Sequence, residues 1–370
     1  MNGRSTELGW DDAREAEFEP HLAAGRVAAR VLEAHGGSWV VATAEGEITA
    51  FVSGRFRYDV VGPADLPAVG DWLAVDPPDG RGGPAIIQAL LERRSAFRRY
   101  AGDRARSGTA RLVDEQVLAA NIDVALIVAG LDLDFDTRRL ERYLAVAYSG
   151  GAAPVLVLNK ADIDPQVAAH RLAAESVAPG VPIHVVSALT GDGLDALAAA
   201  ALRPGTTAVV VGSSGVGKST LANALLGEDR QATTQVREDD SRGRHTTTAR
   251  ELLRLPGGAM LIDSPGIRAL EVVGAGDGLD DAFAEIADLA AACRFSDCRH
   301  DGEPACAVTD AVATGDLDRG RLAAYRKLER EAAHATRAVD PLARAQERRR
   351  WRAIQRSVVV HMRSKYGEGS

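Results

Sequence analysis

Two patterns of apolar residues succeed one another along this chain. In the N-terminal part the runs are short, rich in β-branched residues, and broken by glycine and proline. They cover 25–32, 38–44, 47–53, 71–75 and 85–91. This spacing predicts short strands joined by turns, and five of them suffice for a small β-barrel. An OB-fold is one solution and an SH3-like barrel another; periodicity does not separate them. Farther on the runs become continuously apolar, at 122–128, 154–158, 183–186, 208–211 and 259–262, which suits parallel strands covered on both faces. Between the first two, 137–148 places Leu140, Tyr143, Leu144 and Ala147 on one helical face. Strands alternating with helices predict a doubly wound α/β sheet. After Gly266 the pattern is mainly helical, clearest over 281–292 and 321–334.

These changes divide the chain into a polar N-terminal tail (1–20), a barrel (21–92), an arginine-rich linker (93–115), an α/β domain (116–271) and a mainly helical block (272–370). Seven arginines between 93 and 111 make that stretch a linker or a loop facing RNA.

Composition adds little to the fold and more to the setting. With 46% hydrophobic and 26% charged residues, the 370-residue chain is ordinary for a soluble globular protein. No apolar run approaches the roughly 18–20 residues a membrane span needs, and the polar, acidic residues 1–19 lack the apolar core of a signal peptide. We expect a cytoplasmic protein with no membrane partner. The net charge of −8 conceals an asymmetry: from Arg321 to Ser370 there are 13 Lys and Arg against 5 Asp and Glu. A basic tail on an acidic protein suggests an anionic partner, usually nucleic acid; a solvated basic helix is the plainer alternative.

The sharpest chemical signal follows the run at 208–211. There Gly212-Ser213-Ser214-Gly215-Val216-Gly217-Lys218-Ser219-Thr220 fits the phosphate-loop pattern, with a helix-like stretch at 221–226 behind it. Its glycines let the backbone wrap closely around phosphate oxygens. Backbone amides and the helix N-terminus then face the anion. Lys218 can bridge the β- and γ-phosphates, and the Ser219 hydroxyl can coordinate Mg²⁺.

The base is indicated elsewhere. Asn159-Lys160-Ala161-Asp162 ends the run at 154–158, the end of a strand where open α/β sheets bind ligands. A carboxylate at Asp162 can accept from guanine N1–H and its amino group, a donor pair adenine lacks. Asn159 can reach the base edge and the Lys160 stem can stack on the ring. Ser187-Ala188-Leu189 follows the next run and resembles the second guanine-contacting loop of GTPases. Asp263-Ser264-Pro265-Gly266 resembles their D-x-x-G switch, with Asp263 at the Mg²⁺ shell and the Gly266 amide at the γ-phosphate. Thr246, Thr247 and Thr248 lie between; one of them supplies the metal-binding threonine of the first switch, with Thr247 as the candidate.

The order of these motifs is a circular permutation, because the base-binding elements precede the phosphate loop. The switches therefore lead into the last block, which suggests that the nucleotide state is transmitted there. Many GTPases orient the attacking water with a glutamine just after D-x-x-G. Here that position is Ile267, which predicts slow intrinsic hydrolysis. His245 is the nearest candidate to position the water; a polar loop residue without that role is the alternative.

All three cysteines fall in one segment, Cys293-x₄-Cys298-x-His300-x₅-Cys306. An odd number of clustered cysteines in a cytosolic chain argues for a metal site over disulfides. Cys₃His is a structural Zn²⁺ set with no open position for catalysis.

Taken together, the chain resembles the ribosome small-subunit-dependent GTPase A family (RsgA/YjeQ). Besides the permuted motifs, the resemblance rests on Pro67-Ala68-Val69-Gly70-Asp71-Trp72, Ala119-Ala120-Asn121-Ile122-Asp123, Arg138-Arg139-Leu140-Glu141-Arg142-Tyr143-Leu144, Gly243-Arg244-His245-Thr246-Thr247-Thr248 and the Cys₃His spacing. It implies an N-terminal OB-fold, a permuted GTPase domain and a C-terminal zinc domain. It further implies late maturation of the small (30S) ribosomal subunit, binding of 16S rRNA, and hydrolysis of GTP to GDP stimulated by that subunit. It also implies a hydrophobic residue at Ile267 and assistance to catalysis from His245. Asp132 departs from the asparagine usual in that segment, outside the nucleotide motifs. We expect a monomer. The competing readings are a GTP-sensing RNA-binding module with little turnover, and a P-loop ATPase or kinase.

Overall fold

The computed structural model describes residues 8–78, 83–101, 114–132, 135–228, 250–263 and 276–339. The N-terminal strands are β1 (Val27–His35), β2 (Ser38–Ala42), β3 (Glu47–Val52), β4 (Trp72–Asp76) and β5 (Ala85–Leu90). β1, β2 and β3 pair in sequence, β3 runs parallel to β5, β5 pairs with β4, and β4 returns to β1. That closure, with a short helix α2 (Gly54–Asp59) between β3 and β4, selects the OB-like arrangement over the SH3-like one. Inward-facing Val31, Trp39, Val41, Leu73 and Ile87 fill the barrel.

Two stretches read as unstructured from the sequence are not so. Part of the expected tail forms helix α1 (Asp12–Leu22), capped by the Asp11 carboxylate accepting from the Arg14 amide at 2.9 Å. Trp10 and Phe18 bury themselves against Trp72 on the outside of the barrel. Trp10 precedes α1, and Phe18 is the one large apolar side chain the helix buries, so periodicity did not show the element. The arginine-rich linker contributes β6 (Ala96–Ala101), paired antiparallel with β7 (Asp114–Ala120).

The α/β domain follows: β8 (Val124–Gly130), α3 (Thr137–Ser149), β9 (Ala153–Asn159), α4 (Val167–Val177), β10 (Ile183–Val185), α5 (Leu194–Ala201), β11 (Thr207–Val211), α6 (Lys218–Leu226), β12 (Glu251–Arg254) and β13 (Met260–Asp263). Spatial order is β10-β9-β8-β11-β13-β12, parallel except for β12. Strand residues alternate between two cores. Ala125, Ile127, Leu156, Leu158, Val209 and Val211 face α3 and α4. Leu126, Val128, Val155, Val157, Ala208 and Val210 face α5 and α6. The sheet is thus doubly wound, as expected.

β12 also meets β1 of the barrel at the pair Glu33↔Glu251. Buried Arg30 cements this junction, donating to Thr207 Oγ1 at 2.7 Å and to the Asn121 and Gly70 carbonyls at 3.3 Å. Burial draws the Arg30 pKa down to about 10, with Asp123 and Asp71 opposing the fall. The barrel is thereby fixed to the first residue of the strand that ends at the phosphate loop.

The last block contains α7 (Gly276–Ala282), α8 (Ala284–Ala290), α9 (Ala307–Thr314) and α10 (Arg319–Val339). The single helix expected over 281–292 is broken at Phe283, whose backbone is non-helical (φ −129°, ψ 45°). Its buried ring packs against Tyr325 and beneath the Arg321 guanidinium, 4.0 Å from the ring centre. Leu279, Phe283, Ile286, Val308, Leu322 and Leu328 belong to the same core as α3, so this block is seated on the α/β domain. Among the described residues no helix is long and apolar enough to cross a membrane.

Candidate nucleotide and metal sites

The phosphate loop leaves the end of β11 and enters α6 through three left-handed glycines: Gly212 (φ +144°), Gly215 (+84°) and Gly217 (+93°). At two of them space as well as φ requires glycine. A Cβ on Gly212 would stand 2.3 Å from the Val128 carbonyl, and one on Gly217 would stand 2.3 Å from Asn159 Nδ2. Val216 is buried and anchors the loop, whereas Ser214 and Gly215 are exposed at its tip. Lys218 folds back over the loop and donates to the Ser213 carbonyl. Ser219 and Thr220 occupy the first turn of α6.

Asn159 organises the rest. Its side chain is buried; Nδ2 donates to the Val216 carbonyl at 2.9 Å and Oδ1 accepts from the Ala188 amide at 2.9 Å. One amide therefore clasps the phosphate loop and the Ser187–Ala188 turn to the end of β9. Ser187 Oγ donates to Asp162 Oδ1 at 2.7 Å and accepts from the Thr190 amide at 3.2 Å, which aims the exposed Asp162 carboxylate. Leu189 beside it is 79% exposed, an apolar face at the edge of the site.

Asp263 ends β13, next to β11, by its main chain. His245, Thr246, Thr247, Thr248, Gly266 and Ile267 lie outside the described residues.

Two neighbours escaped the motif reading. Lys160 has a left-handed backbone (φ +69°), and its ammonium pairs with Asp132 at 2.5 Å. Asp132, set aside in the sequence as outside the nucleotide motifs, thus touches one of them. Arg139 Nη1 on α3 lies 3.4 Å from Ser213 Oγ in the phosphate loop. The departure from asparagine was the only sequence signal for Asp132, and Arg139 stood out only as part of the resemblance segment Arg138–Leu144, with no role at the phosphate loop.

The cysteine cluster assembles as its spacing suggested. One ligand atom from each of Cys293, Cys298, His300 and Cys306 lies within 4.8 Å of the others. Cys293 Sγ and Cys306 Sγ are 3.8 Å apart, and His300 Nδ1 lies 3.6 and 3.5 Å from them. Around a tetrahedral metal bound at about 2.3 Å by sulfur and about 2.0 Å by nitrogen, such atoms stand about 3.5–3.8 Å apart, so the set fits. Left-handed backbones at His300 (φ +57°) and Ala305 (+59°) turn the loop inward. Cys306 caps α9, accepting from the Thr309 amide at 3.5 Å. Burial pushes its thiol up, but contacts from Thr309, His300 and Cys298 outweigh this and bring it down to about 6.

A family model described as RsgA GTPase matches residues 90–273. The small ribosomal subunit biogenesis GTPase RsgA of Opitutus terrae is 46% identical over 356 residues, 94% of this chain and 95% of that one. The chain belongs to the RsgA GTPase family. An RsgA of the same description from Streptomyces coelicolor is 44% identical, covering 93% of this chain and 91% of that one. Among solved structures, YjeQ from Thermotoga maritima superposes with a TM-score of 0.61 at 27% identity, over 82% of this chain and 97% of that one. YloQ, described as a circularly permuted GTPase, superposes with a TM-score of 0.58 at 21% identity, over 84% and 96%, and shares the fold. The barrel and the permuted domain of this RsgA family member are those its sequence predicted.

Proposed function

We propose that this member of the RsgA GTPase family hydrolyses GTP to GDP and phosphate during maturation of the small (30S) ribosomal subunit, and that the subunit stimulates turnover. The observation that carries the nucleotide assignment is the double grip of Asn159 on Val216 and Ala188, which joins three motifs far apart in the chain into one wall. Asp162 reads the guanine edge, while Lys160, Ser187, Ala188 and Leu189 line the base. Gly212, Ser213, Ser214, Gly215, Val216, Gly217 and Thr220 form the phosphate cradle, and Lys218 supplies its charge. Ser219, Thr247 and Asp263 hold Mg²⁺, which neutralises phosphate charge when bound, and the Gly266 amide meets the γ-phosphate. His245 positions the water that Ile267 cannot. Cys293, Cys298, His300 and Cys306 hold one structural Zn²⁺.

The arginine-rich strand β6 and the basic C-terminal stretch suit 16S rRNA, whose backbone would take most of its affinity from such charge. We infer a cytoplasmic monomer with no membrane partner. The test is multiple-turnover phosphate release from GTP with purified small subunits, large subunits or neither. Stimulation by small subunits alone is the expected result. Equal rates in all three arms would overturn the assignment.

A further inference from the structure

We infer that Asp132 is a positioning residue for the nucleotide: it holds Lys160 in the posture that receives the base and thereby sets how long GDP stays bound. The inference rests on the guanine-nucleotide reading above. It starts from the backbone. Lys160 follows β9 directly and adopts φ +69°, a region that L-residues with long side chains rarely enter and that costs energy. Across the sheet, β8 ends at Gly130, and the Leu131 amide donates to the Asn159 carbonyl at 2.7 Å. This bond sets the ends of β8 and β9 side by side and brings Asp132 up to Lys160.

The pairing itself is tight. Lys160 Nζ lies 2.5 Å from Asp132 Oδ2, with the two side chains 29% and 28% exposed. A charge-assisted bond of this length in a half-buried setting is stronger than an ordinary surface pair. Gly130 lies beneath the pair, where a Cβ would stand 3.1 Å from Asp132 Oδ1, close enough to crowd the carboxylate. Neighbouring Asn159 is already locked on both sides by Val216 and Ala188. Lys160 is the flexible member of the motif, with four rotatable side-chain bonds. A lysine left to wander must be ordered when a base stacks along its stem, and that ordering weakens binding. Asp132 imposes the order in advance.

The consequence lies in release rather than capture. Association depends on diffusion and on the phosphate cradle, so its rate should hardly change. Loss of one pre-ordered long side chain should speed GDP release about two- to tenfold.

The experiment is stopped-flow association and dissociation of a fluorescent GDP with the full chain. It compares wild type with Asp132→Asn, Asp132→Ala, Lys160→Ala and the double variant Asp132→Asn/Lys160→Ala, each checked for an unchanged thermal midpoint. The near-isosteric asparagine guards against misfolding. Faster release in both Asp132 variants, with unchanged association, is expected. Salt should accelerate release from wild type more than from Asp132→Asn, since only the former loses an ion pair. In the Lys160→Ala background the asparagine substitution should do nothing further. Unchanged release in Asp132→Asn and Asp132→Ala would overturn the inference, as would an Asp132 effect that survives without Lys160. Failure of wild type to bind GDP would instead remove the nucleotide reading on which it stands.

Discussion

Arg321 Nη1 donates to Glu141 Oε1 at 3.0 Å across 180 residues of sequence, and the two side chains are 7% and 0% exposed. Glu141 sits on the inner face of α3 and Arg321 at the start of α10. The same guanidinium takes the Val177 and Ala282 carbonyls at 3.2 and 2.6 Å, pairs with Glu285 at 2.6 Å and stacks on Phe283. A single side chain thus joins α3, α4, α7, α8 and α10. Arg139, two residues before Glu141 on α3, reaches Ser213 in the phosphate loop. The helical block is therefore connected to the nucleotide site through α3, in addition to the chain passing through Gly266.

Replacing Arg321 should be severe. Among the described residues, Arg321→Ala leaves the buried Glu141 carboxylate with Arg138 as its remaining cation, and breaking a buried pair costs about 3–5 kcal/mol. Arg321→Lys should rescue little, because one ammonium cannot reproduce a planar fork serving several acceptors. Denaturant unfolding followed by far-UV circular dichroism measures this; a midpoint unchanged in Arg321→Ala would refute it.

The phosphate loop admits a narrower test. Gly217→Ala places a methyl group on Asn159 Nδ2 and demands φ near +93° of an L-residue. Strain of about 1–3 kcal/mol adds to the loss of the Asn159–Val216 bond. GDP affinity by isothermal titration should fall about a hundredfold, with the Zn²⁺ content of the protein unchanged. Retained affinity would mean that Asn159 does not hold the loop.

What was legible in the sequence follows from locality. Strands of the α/β sheet are buried on both faces, so Val209-Val210-Val211 and its counterparts read as unbroken apolar runs. The phosphate loop and Asn159-Lys160-Ala161-Asp162 are contiguous motifs with their chemistry in the residue types. Helix α1 was missed because its burial depends on two aromatics, Trp10 and Phe18, that meet a surface made by Trp72 far along the chain. β12 was missed because Glu251 and Arg254 flank a two-residue apolar core in a strand pairing with both β13 and the barrel. Asp132 and Arg139 act on motifs outside their own segment, and such partners appear only when the sheet brings its strand ends together.

The fastening of α1 should depend on acid. Asp11 caps α1 and pairs with Arg94 beside β6. The Arg94 bond, helped by the Arg14 amide, overrides burial and lowers the Asp11 carboxyl to about 2. A depressed carboxylate stabilises the fold above its unfolded pKa of about 3.9, and that contribution is lost as pH falls towards the folded value. Both partners are about half exposed, so the ion pair is worth no more than about 1 kcal/mol. Asp11→Asn keeps a capping oxygen and removes the charge. It should lower stability slightly at neutral pH, and the difference from wild type should shrink below about pH 4. A constant difference across that range would argue against the pair.

Metal removal should act on the last block first. The four ligand atoms hold a loop between α8 and α9 whose described interior is small, with Cys306, Val308 and Ala311 its main buried members. Without a bound ion, the Cys293 and Cys306 sulfurs 3.8 Å apart and the left-handed His300 and Ala305 backbones lose the metal bonds that would hold them together. Elemental analysis should find one Zn²⁺ per wild-type chain, and Cys306→Ser should lose most of it, since that sulfur is the buried member of the three and lies within 3.8 Å of Cys293 Sγ and 3.5 Å of His300 Nδ1. A strong chelator should lower the thermal midpoint and raise amide exchange in 291–315 before exchange in β8, β9 or β11 changes. Because Arg321 ties α10 to α3 through Glu141, a bond that uses none of the four ligands, GDP affinity should fall by less than about threefold on chelation. A simultaneous collapse of exchange protection in β11 would show instead that the metal supports the α/β domain directly.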